Sequence, residues 1–179
     1  MKKIISIFFL LLLFFSPLGS HAKTAPDSTD SAKIEYFLPY PGILPGSPIY
    51  PLKALRDRII EFFISDPGKR AEFYLLQADK RLNAGILLLE KGEGDLSEST
   101  VSKAEKYLEK ALDQAEEVKS RGQNNDTILE NIQRSSAKHK EVLESLVEKT
   151  DGELSKRFSQ SLKLNQDIIN RVTQLRATE

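Results

Sequence analysis

Apolar residues recur three and four positions apart from Leu52 to the C-terminus, with charged residues filling the gaps. That spacing places them on one face of a helix, and its interruptions divide the chain into five predicted helices. The first runs from about Leu52 to Ser65, with Pro51 at its first position and Leu52, Leu55, Ile59, Phe62 and Phe63 on one face. Asp66-Pro67 ends it and starts the second, with Asp66 as cap and Pro67 in the first turn. The second helix reaches about Lys91 on a stripe of Ala71, Leu75, Ala78, Leu82, Ile86 and Leu89, and Gly92 suits the position just past its end. The third begins near Ser97 or Ser99 and stops before Gly122, with Val101, Ala104, Leu108, Ala111, Leu112, Ala115 and Val118 inward. The fourth starts at Asp126 or Thr127, where Thr127 and Glu130 have the spacing of a capping box. Thr150 and Glu153 repeat that spacing around Gly152, which predicts a tight turn before a fifth helix carrying Leu154, Phe158, Leu162, Ile168, Ile169, Val172 and Leu175.

The last four helices are each about 25 residues, or roughly 37 Å, long. Equal lengths and short connections predict antiparallel neighbours. Three pairs at i,i+4 (Glu117–Arg121, Glu130–Arg134 and Glu153–Arg157) add a few tenths of a kcal/mol each. No stretch alternates with the period of a strand. The fold class is all-α: an antiparallel helical bundle of about five helices over residues 52–179, preceded by an ordered, extended Pro-rich strap over 34–51.

The strap is the segment that helical periodicity leaves unexplained. Between Tyr36 and Pro51 it holds Pro39, Pro41, Pro45, Pro48 and Pro51, too many for a helix, and Tyr36, Phe37, Tyr40 and Tyr50, too apolar for a solvated linker. Pro41-Gly42 and Pro45-Gly46 suit type II turns, and Pro45, Pro48 and Pro51 have the three-residue period of polyproline II. One reading has the strap close its own bundle, with Tyr50 and Leu52 as plugs. The other has Tyr36, Phe37, Tyr40, Pro45, Pro48 and Tyr50 present Pro and aromatic groups to a partner. The first helix poses the same choice, because Leu52, Leu55, Ile59, Ile60, Phe62, Phe63 and Ile64 surround most of it. Exposure of Phe62 and Phe63 would favour a partner, and their burial a core helix.

The N-terminus reads as a secretory signal over residues 1–22. Lys2 and Lys3 precede an apolar run of about twelve residues from Ile4 to Phe15, Pro17 and Gly19 break it, and Ser20-His21-Ala22 fits a cleavage site. As a helix the run rises only about 18 Å, short of the roughly 30 Å hydrocarbon core; an uncleaved anchor is the competing reading. Residues 23–33, polar and small, form a disordered tether. The expected location is extracytoplasmic, with no membrane span in the mature chain.

Composition then narrows the chemistry. There is no Cys, which removes disulfides, thiol nucleophiles and Cys metal sites. The 26 basic and 26 acidic residues balance, and cleavage removes only Lys2 and Lys3 from that count, so net charge gives no electrostatic reason to expect nucleic acid or anionic lipid as partner. After cleavage His139 is the one remaining His. No metalloprotease, phosphate-loop, nucleophile-elbow or dinucleotide motif occurs. Carboxylates are expected mostly on solvated faces, including a ladder of Glu105, Glu109, Asp113 and Glu116 or Glu117 that a straight helix could not wrap around a cation. No catalytic residue, cofactor or metal is expected.

His139 falls on the apolar stripe Ile128, Ile132, Ser135, His139, Val142, Leu146. A hairpin about Asp151 brings it near Asn165, a second polar residue on an apolar stripe. The pattern offers a buried polar layer of His139, Asn165 and Ser135 that fixes the register of the hairpin, or else a His139 at the solvent edge.

The stretch Pro45-Gly46-Ser47-Pro48-Ile49-Tyr50-Pro51-Leu52-Lys53, then Asp66-Pro67 with Lys69, Ala71 and Glu72, then Ala78, Arg81 and Leu82, resembles a family of secreted or membrane-tethered bacterial helical proteins known as a domain of unknown function. The resemblance is good over Tyr36 to Leu112. It implies a helical extracytoplasmic module and brings no activity, cofactor or catalytic residue. The function expected is therefore a non-enzymatic interaction or scaffold protein of the bacterial cell envelope, with a protein partner or self-association. The alternative is a periplasmic stress-type helical protein that binds exposed apolar segments or metal.

Overall fold

A computed structural model describes residues 35–177; the predicted signal, the tether and Ile34 lie outside the described residues. Five helices follow one another: α1 Tyr50–Phe63, α2 Pro67–Glu90, α3 Gly94–Ser120, α4 Asp126–Glu148 and α5 Gly152–Ala177. The chain is all-α over these residues. Helices α2 and α3 form one hairpin and α4 and α5 another, and the two pack together mainly through α3 on α5 and α2 on α4. The bundle proper therefore has four helices, and α1 stands on its flank.

The connections are as short as the sequence predicts. Asp66 accepts from the Lys69 N–H at 2.8 Å and Pro67 opens α2. Past α2 and α3 the chain turns on Gly92 (φ 78°) and Gly122 (φ 71°), a left-handed conformation that glycine adopts without strain. In both turns the last helical carbonyls are closed in the same way, Glu93 N–H onto Leu88 and Gln123 N–H onto Val118. The expected Thr127 capping box is absent. Asn125 precedes α4, and its side chain instead donates to the Ala115 carbonyl at 2.9 Å, tying the loop to α3. Helix α3 also starts earlier than Ser97, at Gly94: the Ser97 N–H already bonds the Glu93 carbonyl at 2.8 Å, and its hydroxyl donates to the Gly85 carbonyl at 2.7 Å.

Two apolar clusters fill the bundle. One gathers Tyr74, Leu108, Leu112, Leu129, Ile132, Ile168 and Val172. The other gathers Leu82, Val101, Ala104, Leu143, Leu146 and Phe158. All seven inward residues expected on α3 are buried. On α2 and α4 the stripe is rotated slightly from its expected centre: Leu88 and Leu143 are buried, whereas Leu89 and Val142 are partly exposed. At the α2–α3 crossing the helices approach so closely that a Cβ at Gly85 would lie 2.3 Å from a Val101 methyl.

Candidate functional site

Between the two apolar clusters lies a layer of polar side chains. His139 of α4 sits at its centre with no exposed surface. Its Nδ1 is 2.7 Å from Glu105 Oε1 of α3, and its Nε2 is 3.1 Å from Asp79 Oδ1 of α2. Ser135 donates to the same Asp79 oxygen at 2.6 Å, and Asn165 of α5 donates through Nδ2 to Glu105 Oε2 at 3.0 Å. The structure thus brings His139, Asn165 and Ser135 into one network through two carboxylates, joining all four bundle helices. Asn165 Oδ1 accepts no hydrogen bond among the described residues.

Burial alone would push the His139 imidazole down. Glu105 and Asp79, by charge and by hydrogen bond, outweigh it and raise the group to about 9. At neutral pH His139 is therefore an imidazolium donating from both ring nitrogens. Glu105 corrects the expected solvent ladder: it is fully buried, while Asp113 and Glu116 bind Arg171 across the α3–α5 seam at 2.9 Å each. Glu153–Arg157 is also not the pair that forms. Arg157 turns to Asp95 and Glu98 of α3, because the end of that hairpin lies within its reach.

The segment before α1 reaches the same layer. Tyr36 Oη donates to the second Asp79 oxygen at 2.7 Å, and burial followed by that carboxylate raises the phenol well above its usual range. Asn83 donates to the Pro39 carbonyl at 3.0 Å, and Leu38 packs on the cluster around Phe158. Phe37 and Tyr40 point outward and Pro48 is exposed, whereas Pro45 and Tyr50 are half-buried. Ser47 N–H bonds Leu44, and Tyr50 N–H bonds Ser47, so the chain turns twice over 44–50 instead of running as polyproline II. Leu52 is not a plug; it is 70% exposed.

Helix α1 is turned opposite to a usual surface helix. Its apolar residues Leu55, Ile59 and Ile60 are exposed, and Phe62 and Phe63 are 81% and 76% exposed. Asp57 is buried beside Arg56, at 2.6 Å. Polar contacts hold the helix. Lys53 donates to the Pro41 and Ile43 carbonyls at 2.8 and 3.1 Å, Tyr74 donates to Glu61 at 2.7 Å, and Arg70 Nε donates to the Ile64 carbonyl at 3.0 Å. Burial, then the Glu61 bond, pushes the Tyr74 phenol up to about 12. Between α1 and the bundle opens a cleft of about 860 Å³, lined by Arg58, Arg70, Arg81 and Lys110 beside Tyr74 and Tyr107. Arg81 lies over the Tyr107 ring at 4.1 Å. Among the described residues no group of three or more His, Asp or Glu is arranged to hold a metal ion.

Sequence reasoning missed Asp79 and Glu105. The signal was present: Glu105 lies seven residues before Leu112, so both share a face, and Asp79 lies three before Leu82.

The chain belongs to the family described as Domain of unknown function (DUF5667), whose model matches residues 42–153. The match thus begins inside the Pro-rich segment and runs through α4, further than the resemblance over Tyr36 to Leu112. No curated protein and no solved structure matches the chain.

Proposed function

We propose that this member of the family is a non-enzymatic interaction module of the cell envelope, and that α1 is its docking element. The outward apolar face of α1 carries the proposal. Single exposed apolar residues are normal on a protein surface, but a continuous face ending in two adjacent phenylalanines marks a contact surface. The bundle behind it has its own closed core and does not need that face. The buried His139 network supports a structural role, since Asp79, Glu105 and His139 bind one another on the inside of the bundle. The predicted signal over residues 1–22 supports an extracytoplasmic location.

A photo-crosslinking side chain at position 62 of the full chain, irradiated in intact cells, tests the proposal. Adducts are expected at 62, absent from the same group at Asp167 on α5, and lost with Leu55→Ser and Ile59→Ser. No adduct of any kind at 62 would remove α1 as the docking element.

A further inference from the structure

The face of α1 and the cleft beside it differ in chemistry, and together they match one kind of surface. Outward lie Ile49, Leu52, Ile59 and Phe63, and the exposed Leu55 and Phe62 stand at the cleft itself. Beside Leu55 and Phe62 the same cleft holds Arg58, Arg70, Arg81 and Lys110. Its two acids are engaged: Asp57 with Arg56, and Glu61 with Tyr74 and Lys110. The charged groups that α1 leaves exposed are Arg56 and Arg58, both cationic. A helix lying in a membrane interface sinks its apolar face about 5–10 Å into the acyl boundary, which leaves its opposite side among the headgroups.

Resting on the reading of α1 as the docking element, we infer that its occupant is an anionic lipid surface: the apolar face enters the acyl boundary, and the cleft cations take headgroup phosphates. The long Arg58 stem lets its guanidinium reach the headgroups from the rim of the apolar face. A second copy fits less well. The midpoint of α1 falls between Arg56 and Asp57, so antiparallel two-fold pairing sets the two Arg56 side chains together, with each Asp57 buried on the far side.

The chain has no cysteine, so Ile59→Cys labelled with the environment-sensitive fluorophore NBD reports on α1 alone, in the full chain. Asp167→Cys on α5 is the control. With vesicles of phosphatidylglycerol and phosphatidylcholine, emission at 59 is expected to shift to the blue while 167 stays water-like. Vesicles of phosphatidylcholine alone should give a much weaker shift. Arg58→Glu with Lys110→Glu, both on side chains with solvent access, should weaken the response roughly tenfold or more, and Arg58→Glu alone should weaken it in part if the double variant fails to fold. Equal response to neutral vesicles overturns the anionic-lipid inference. A blue shift without lipid that grows with protein concentration identifies a second copy. A lipid-independent shift at every concentration identifies the chain's own Ile4–Phe15 segment. Each of these three removes the inference and leaves α1 as the docking element. A probe that stays water-like in every condition, together with no adduct at position 62, removes both.

Discussion

A protonated imidazole held between two buried carboxylates ties the stability of the bundle to pH. His139 is raised from about 6.5 to about 9 in the folded protein, so the folded state binds its proton more tightly than the unfolded chain. That contribution is complete below about pH 6.5 and disappears as pH rises through about 9, a loss on the order of 3 kcal/mol. Urea unfolding at pH 6 and pH 9.5 should show the fall, and His139→Gln should flatten it. Removing one partner is more severe. Glu105→Ala leaves the imidazolium facing Asp79 alone and should cost about 3–5 kcal/mol, read as a lower urea midpoint at pH 7. Tyr36→Phe removes one donor to Asp79 and should cost about 1.5–3 kcal/mol; no change would show that the segment before α1 does not rest on the layer. His139, Ser135 and Asn165 were legible because each interrupts an apolar stripe. Asp79 and Glu105 also lie on buried faces by their spacing, but a carboxylate reads as solvated until a buried cation is known to face it.

At the scale of elements, the helix ends and the α3 face followed from periodicity and glycines, whereas the start of α3 at Gly94 and the lack of a Thr127 cap did not. Periodicity marks an apolar face without saying which way it points, and α1 shows the consequence. Leu52, Leu55, Ile59, Phe62 and Phe63 share a face as expected, yet the helix turns that face out. Its inner contacts are hydrogen bonds from Lys53, Tyr74 and Arg70, which no hydropathy pattern carries. The α2–α3 crossing gives a second test. Gly85→Ala gains about 1 kcal/mol of helix propensity but places a Cβ against Val101. A net destabilisation of about 1–2 kcal/mol is expected, and Val101→Ala in the same chain should relieve part of it. An unchanged or raised melting temperature for Gly85→Ala would show that the crossing is looser than this.

The whole molecule divides into a bundle that needs nothing further and a helix whose apolar face nothing among the described residues covers. The bundle satisfies its own core with two apolar clusters and one ionic layer between them. No helix among the described residues is long and apolar enough to cross a membrane. At the surface, α1 carries most of the exposed large apolar side chains. The measurement closest to this division is the unfolding free energy of the full chain carrying Phe62→Ser and Phe63→Ser. Exposed side chains outside the core should change it by no more than about 0.5 kcal/mol each. A loss of about 3–5 kcal/mol per site, as for phenylalanines deleted from a core, would contradict the account and make α1 a buried part of the fold.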